Sequence, residues 1–73
     1  MNRKFKIGDY FITTPIETNF GVITAITTLG YQVQWLRLHG TTVYNDFNEY
    51  DLSMERKVRK LSHEEAMLYI LEV

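Results

Sequence analysis

Residues 30–35 read GYQVQW, the most regular β-strand pattern in the chain. Tyr31, Val33 and Trp35 alternate with two glutamines, so one face of the predicted strand is apolar and the other is polar. Glycine stands at the start of this segment, and glycine also opens the segment GVITAI at residues 21–26. Because short β-segments that follow glycine turns can bend sharply, the pattern indicates a small, strongly bent antiparallel barrel.

The segment at residues 21–26 does not alternate strictly between apolar and polar positions. A β-bulge near Thr24 would allow Ile23 and Ile26 to share the inner face, and we predict one there. Upstream of this segment, the first strand is predicted to run from about residue 9 to residue 14.

Downstream of the third strand, the sequence TTVY at residues 41–44 is β-prone and predicts a fourth strand. Asparagine and aspartate are frequent after it, and both favour turns because their side chains bond nearby backbone groups. Residues 45–53 are therefore predicted to form a loop, which aromatic side chains anchor to the barrel. Residues 55–61 predict a short fifth strand.

A helix is predicted at the C-terminal end, from about residue 63 to residue 73. Ser62 and Glu65 have the spacing of a capping box, and apolar residues follow at helical spacing. A helix this short needs tertiary contacts to be stable. We expect it to plug an open end of the barrel, because a small domain needs the additional burial. The alternative is that it docks on another chain.

Composition restricts the kinds of site that the chain can build. Its 73 residues indicate a single domain spanning residues 1–73. The chain has no cysteine, which excludes disulfides, and His39 and His63 alone cannot form a structural zinc site. We therefore expect no metal and no cofactor. Neither a signal peptide nor a run of roughly 20 apolar residues is found, so we expect no membrane contact and a cytoplasmic protein.

Several of these motifs resemble those of the SH3-like small barrels, in particular the KOW-like and Tudor-like barrels and the single-domain forms of bacteria and their phages. The resemblance covers about residues 5–61. The matching motifs are IGD at 7–9, GVITAI at 21–26 and YxVxW at 31–35, with a weaker match at Tyr44 and at YDL, 50–52.

The resemblance implies a mainly β fold, namely a five-stranded SH3-like antiparallel barrel, to which this chain adds a short C-terminal α-helix. It also implies a 3₁₀ turn before the last strand. Members of this group bind proteins, peptides, RNA or DNA and rarely catalyse a reaction alone. Fold, however, says little about activity.

Basic residues cluster on the predicted last strand. In an SH3-like barrel this strand lies beside the first one, so these residues and the basic N-terminal segment could form one phosphate-attracting patch. The alternative is that lysine and arginine protect an exposed strand edge from aggregation, and the net charge of −1 favours that alternative. The candidate nucleic-acid residues are Arg56, Lys57, Arg59 and Lys60.

Aromatic residues supply the candidate protein-binding surface. Tyr44, Phe47 and Tyr50 are predicted on or near a loop, where recognition residues concentrate. In Tudor-like barrels a few aromatics enclose methylated cations through cation–π attraction. The alternative is that these side chains are half-buried packing residues, as aromatics at two-residue spacing usually are.

The sequence favours a non-catalytic interaction module. His39 has no acid or nucleophile at useful spacing, and no glycine-rich phosphate loop occurs. A protein partner is the first expectation, as for a small phage or mobile-element accessory protein that docks on a host protein. Nucleic-acid binding through the basic last strand is the alternative, and self-association is compatible with both.

Overall fold

The computed structural model describes residues 3–72. Five strands, one 3₁₀ helix and one α-helix follow one another along the chain. The elements are β1 (Tyr10–Thr13), β2 (Phe20–Ile26), β3 (Gly30–Leu38), β4 (Thr41–Asp51), the 3₁₀ helix (Leu52–Arg56), β5 (Val58–Lys60) and α1 (His63–Glu72).

All five strands belong to one antiparallel sheet with the order β4-β3-β2-β1-β5. The predicted mainly β fold with five antiparallel strands and a C-terminal helix is confirmed. The sheet is not closed, because among the described residues β4 pairs only with β3 and β5 pairs only with β1. Two free edges therefore remain where closure into a barrel was predicted.

The inner face of the sheet holds the larger apolar core. Tyr31, Val33 and Trp35 of β3 are buried there, as their alternation predicted. Phe11 of β1 packs edge-on against Trp35, with ring centroids 5.3 Å apart. The other buried members of this core are Phe5, Ile23, Met54 and Val58.

The bulge predicted in β2 is present. The register against β3 shifts between Ile23 and Ala25, and Thr24 donates its hydroxyl to the Gln32 carbonyl at 3.0 Å. As predicted, Ile23 and Ile26 share the inner face of the sheet, because they lie opposite the buried Val33 and Tyr31. Ile26 is the last residue of its strand and is 41% exposed.

The fourth strand is much longer than predicted. It continues through residues 45–53, the predicted loop, as far as Asp51. Asn45 has a positive φ of 54°, a conformation that asparagine tolerates, and this places a bulge inside the strand instead of ending it. After the bulge, Asp46 to Asp51 pair in unbroken register with Trp35 to Gly30.

The fifth strand is correspondingly shorter than the predicted residues 55–61. A 3₁₀ helix occupies Leu52–Arg56, as the resemblance implied, and the Asp51 carboxylate caps it by accepting from the Ser53 amide at 2.9 Å. Bonds from Ser53, first from its hydroxyl and then from its amide, hold the pKa of Asp51 below its ordinary value.

The helix packs on the outer face of the sheet. Its predicted position at an open end of a barrel is therefore wrong. Phe20 of β2 is stacked between Tyr10 and Tyr69, with ring centroids 5.6 Å and 5.3 Å away. Together with Ile12, Leu61 and Ala66, these rings form a second core between sheet and helix.

The predicted capping box at the start of α1 is confirmed. The Glu65 amide donates to the Ser62 hydroxyl at 3.1 Å, and the Ser62 amide donates to the Glu65 carboxylate at 3.2 Å. Of the predicted helix at residues 63–73, residue 73 lies outside the described residues.

Candidate functional site

The three candidate aromatics lie on β4, not on a loop, and they do not form one cluster. Phe47 lies opposite Gln34 and therefore belongs to the outer face of the sheet. Tyr50 lies opposite the buried Tyr31 and belongs to the inner face. Tyr44 lies in the bulge and is 84% exposed. The structure therefore divides the predicted site between two faces.

Tyr50 forms one wall of a cavity on the inner face. Its ring is nearly perpendicular to that of Trp35, and its hydroxyl accepts from the indole Nε1 at 3.3 Å. The cavity has a volume of about 260 Å³ and is lined by Thr13, Asn19, Trp35, Tyr50, Ser53, Met54, Lys57 and Val58. Because Lys57 brings a positive charge to this cavity, it disfavours a methylated ammonium group there.

A larger groove lies on the outer face, between α1 and the strands β3 and β4. Its volume is about 380 Å³. The lining residues are Tyr10, Gln34, Leu36, Thr42, Val43, Tyr44, Asn45 and Ile70. Tyr44 and Ile70, which are 26 positions apart in the sequence, meet at this groove. No local sequence pattern indicates that these two residues line the same groove.

Exposed apolar side chains continue from the groove onto the helix. Successive residues are about 100° apart around a helix axis, so Met67 and Leu71 lie on the same flank as Ile70. They are 43% and 77% exposed. We call the surface made by Tyr44, Phe47, Met67, Ile70 and Leu71 the helix–β4 surface.

Of the candidate nucleic-acid residues, two are engaged by carboxylates. The Arg59 guanidinium contacts Glu17 and Glu65, each at 2.9 Å. The bond to Glu65, followed by the bond to Glu17, raises the pKa of Arg59, and Arg59 in turn lowers the pKa of Glu65. Lys60 contacts Asp9 at 3.2 Å. These acids offset much of the positive charge of β5.

The other two candidates, Arg56 and Lys57, are exposed, and no carboxylate within residues 3–71 lies at ion-pair distance from either. Of the N-terminal cations, Lys4 lies beside them, because its ammonium donates to the carbonyls of Glu55 and Val58 at 2.9 Å and 3.1 Å, whereas Arg3 lies elsewhere. Arg3 bonds the carbonyls of Thr27 and Gly30 at the far end of β3. The predicted basic surface is therefore reduced mainly to Arg56, Lys57 and Lys4.

Glu55 is the carboxylate that ties the N-terminal segment to the inner core. It accepts from the buried Tyr31 hydroxyl and from the Lys4 amide, the latter at 3.1 Å. The Phe5 amide donates to the same Tyr31 hydroxyl at 3.3 Å. The bond from Tyr31, followed by the bond from Lys4, lowers the pKa of Glu55, while burial is the main cause of the raised pKa of Tyr31.

Replacing Glu55 with glutamine is expected to lower stability at pH 7 and to flatten its acid dependence. The pKa of Glu55 in the folded state is below its ordinary value of 4.5. The Glu55 carboxylate therefore stabilises the fold above pH 4.5, and this stabilisation is lost as the pH falls through the folded-state pKa. Thermal unfolding of both proteins between pH 7 and pH 3 tests this. Glu49→Gln, at an exposed edge position, is the control. Equal acid dependence of Glu55→Gln and wild type would contradict the assignment.

Residues 3–72 contain no group of three or more histidine, cysteine, aspartate or glutamate side chains that could hold a metal ion. His39 lies in the turn between β3 and β4 with a φ of 53°, and His63 is the first residue of α1. Within the same part of the chain, no helix is both long enough and apolar enough to cross a membrane.

Comparison with known proteins adds no named relative. No protein-family model, no curated protein and no solved structure matches this chain. A function can therefore be inferred only from the surfaces described above.

Proposed function

We propose that this chain is a non-catalytic protein-binding module and that its helix–β4 surface receives the partner. The observation that carries the proposal is the outer groove, which Ile70 and the 84% exposed Tyr44 line, together with Leu71, the next residue of the helix, which is 77% exposed. An apolar surface that continues from a groove onto a neighbouring helix is typical of protein-interaction sites.

The two cores of the domain support this choice of surface. Ala66 and Tyr69 attach α1 to the sheet, so the helix does not need Met67 or Leu71 for its own docking. Exposed methionine, leucine and aromatic side chains lose no internal packing when a partner covers them, and their burial would favour association.

We further propose that the fold is related to the SH3-like barrels. The strand order β4-β3-β2-β1-β5 and the 3₁₀ helix between β4 and β5 support this relationship. Such domains act mainly as binding modules, which is consistent with a non-catalytic role.

Replacing Tyr44 and Leu71 together with serine is expected to abolish capture of the partner while the fold is retained, because both side chains are mostly exposed. The measurement is affinity purification from a host lysate with quantitative mass spectrometry. The matched control replaces Ile16 and Leu29 with serine, since these are 70% and 76% exposed but lie elsewhere. Partners retained by the Tyr44/Leu71 variant, or lost equally by both variants, would contradict the proposal.

Nucleic-acid binding remains the second candidate because Arg56 and Lys57 are free of ion pairs within residues 3–71. Fluorescence anisotropy with labelled single-stranded DNA, duplex DNA and RNA at low salt separates the two functions. The protein-binding proposal expects no micromolar affinity. Salt-sensitive binding that is lost after charge reversal at Arg56 and Lys57 would favour the second candidate.

A further inference from the structure

We propose that the free edge of β4 pairs with an extended segment of the partner and that this segment has the sequence pattern basic-x-basic-x-apolar. This inference rests on the proposed protein-binding function. It specifies the backbone geometry and the charge of the partner, which the helix–β4 surface alone does not.

The edge of β4 is open for pairing. The strand has 11 residues and is an outermost strand of the open sheet. Residues 46–51 keep an unbroken register with β3, so the bulge at residues 43–45 does not distort them. Such an edge presents a row of unpaired amides and carbonyls, and natural proteins usually protect it with charged side chains, proline, bulges or a very short strand. β4 has neither lysine nor proline, and its acidic side chains would repel an acidic strand but not a basic one.

The charge of β4 selects the occupant. The strand carries Asp46, Glu49 and Asp51 and has no lysine or arginine. Within residues 3–72 no cation lies at ion-pair distance from Glu49. A second copy paired through β4 would bring three carboxylates from each strand to one seam with no base between them. Because like charges across strands are destabilising, the acidic edge favours a basic partner strand instead.

The register defines the order of the partner residues. Phe47, Glu49 and Asp51 lie opposite Gln34, Gln32 and Gly30 and therefore share the outer face. An antiparallel partner strand meets Asp51 first, then Glu49 and then Phe47. The complementary residues are accordingly a base, a second base two positions later and an apolar residue two positions after that.

The proposal is tested with a labelled seven-residue peptide, Thr-Lys-Thr-Arg-Thr-Val-Thr, and a twin with glutamate at both basic positions. The basic peptide is expected to bind at least about tenfold more tightly than its twin, since the twin places acid opposite acid. Two further versions carry N-methyl groups on alternate amides. Only the version methylated on the amides that face β4 is expected to lose binding, by about tenfold or more.

The matched protein variants are Glu49→Lys and Glu64→Lys. Both residues are exposed acids, but Glu49 lies on the free edge and Glu64 lies on α1. Glu49→Lys is expected to weaken the basic peptide about tenfold and to strengthen the acidic twin, whereas Glu64→Lys leaves both within about twofold. Amide chemical-shift changes in residues 46–51 on peptide addition would locate the contact.

Three outcomes would overturn the inference: no binding of the basic peptide, equal loss with both methylation patterns, or equal effects of Glu49→Lys and Glu64→Lys. Sedimentation velocity provides a fourth test, because concentration-dependent oligomers whose association changes with Glu49→Lys, but not with Glu64→Lys, would assign the edge to a second copy. None of these outcomes affects the capture of a partner from the lysate that the Tyr44 and Leu71 serine variant tests. The protein-binding function therefore fails or stands independently of the strand pairing.

Discussion

Replacing Gly30 with alanine is expected to lower the free energy of unfolding by about 3 kcal/mol, near the upper end of the range for overpacked positions. A Cβ atom at residue 30 would overlap the Tyr50 carbonyl oxygen and would lie 2.6 Å and 2.7 Å from backbone atoms of Asp51. Backbone atoms cannot rotate away as a side chain can, so β4 would have to separate from β3 at this end.

Urea unfolding followed by circular dichroism measures the effect of Gly30→Ala. For a domain of this size, a loss of about 3 kcal/mol corresponds to a melting temperature at least about 12 °C lower. Leu29→Ala is the control, because Leu29 belongs to the same turn and is 76% exposed. A Gly30→Ala protein as stable as Leu29→Ala would show that the backbone of β4 does not lie within 2.7 Å of a Cβ atom at residue 30.

Replacing Phe20 with alanine is expected to cost about 3–5 kcal/mol, the range for a buried phenylalanine. Phe20 is fully buried between the rings of Tyr10 and Tyr69. Its removal would leave a gap beneath α1 and detach the helix from the sheet. We therefore expect helical circular dichroism to disappear before or together with the β signal on heating.

The matched control for Phe20→Ala is Leu68→Ala. Leu68 lies on α1, the helix that Phe20 supports, but it is 63% exposed. Its truncation should therefore change stability by less than about 0.5 kcal/mol. A Phe20→Ala protein that retained its helix signal and stability would mean that the helix does not dock on the outer face.

Local sequence patterns were sufficient where one segment determines its own structure. The alternation of Tyr31, Val33 and Trp35 predicted both the strand and its buried face. The spacing of Ser62 and Glu65 predicted the start of the helix. In each case the physical cause, either two-residue alternation or a reciprocal pair of capping bonds, lies within a few residues.

Predictions were wrong where distant residues decide the outcome. The turn-forming residues of 45–53 indicated a loop, but ladder pairing with residues 30–35 keeps this stretch in a strand. An edge strand tolerates such a composition because one side of it faces water. Asn45, which suggested the end of the strand, instead provides the left-handed residue of its bulge.

The candidate site could be predicted only in part from the sequence, again because residues distant in the chain determine it. The exposure of Tyr44 was expected, whereas its meeting with Ile70 depends on how the helix crosses the sheet. The run of bases at residues 56–60 suggested a free positive surface. The acids that engage Arg59 come from the loop after β1 and from the helix, and no local pattern indicates them.

The position of Trp35 provides the chain with an internal optical reporter. It is the only tryptophan, it lies on the inner face, and its indole contacts Tyr50 at the inner cavity. A molecule that enters this cavity would alter the emission spectrum of the indole, whereas a partner on the helix–β4 surface covers the opposite face and leaves the spectrum unchanged. Intrinsic fluorescence can therefore distinguish which side of the sheet a ligand occupies without any label.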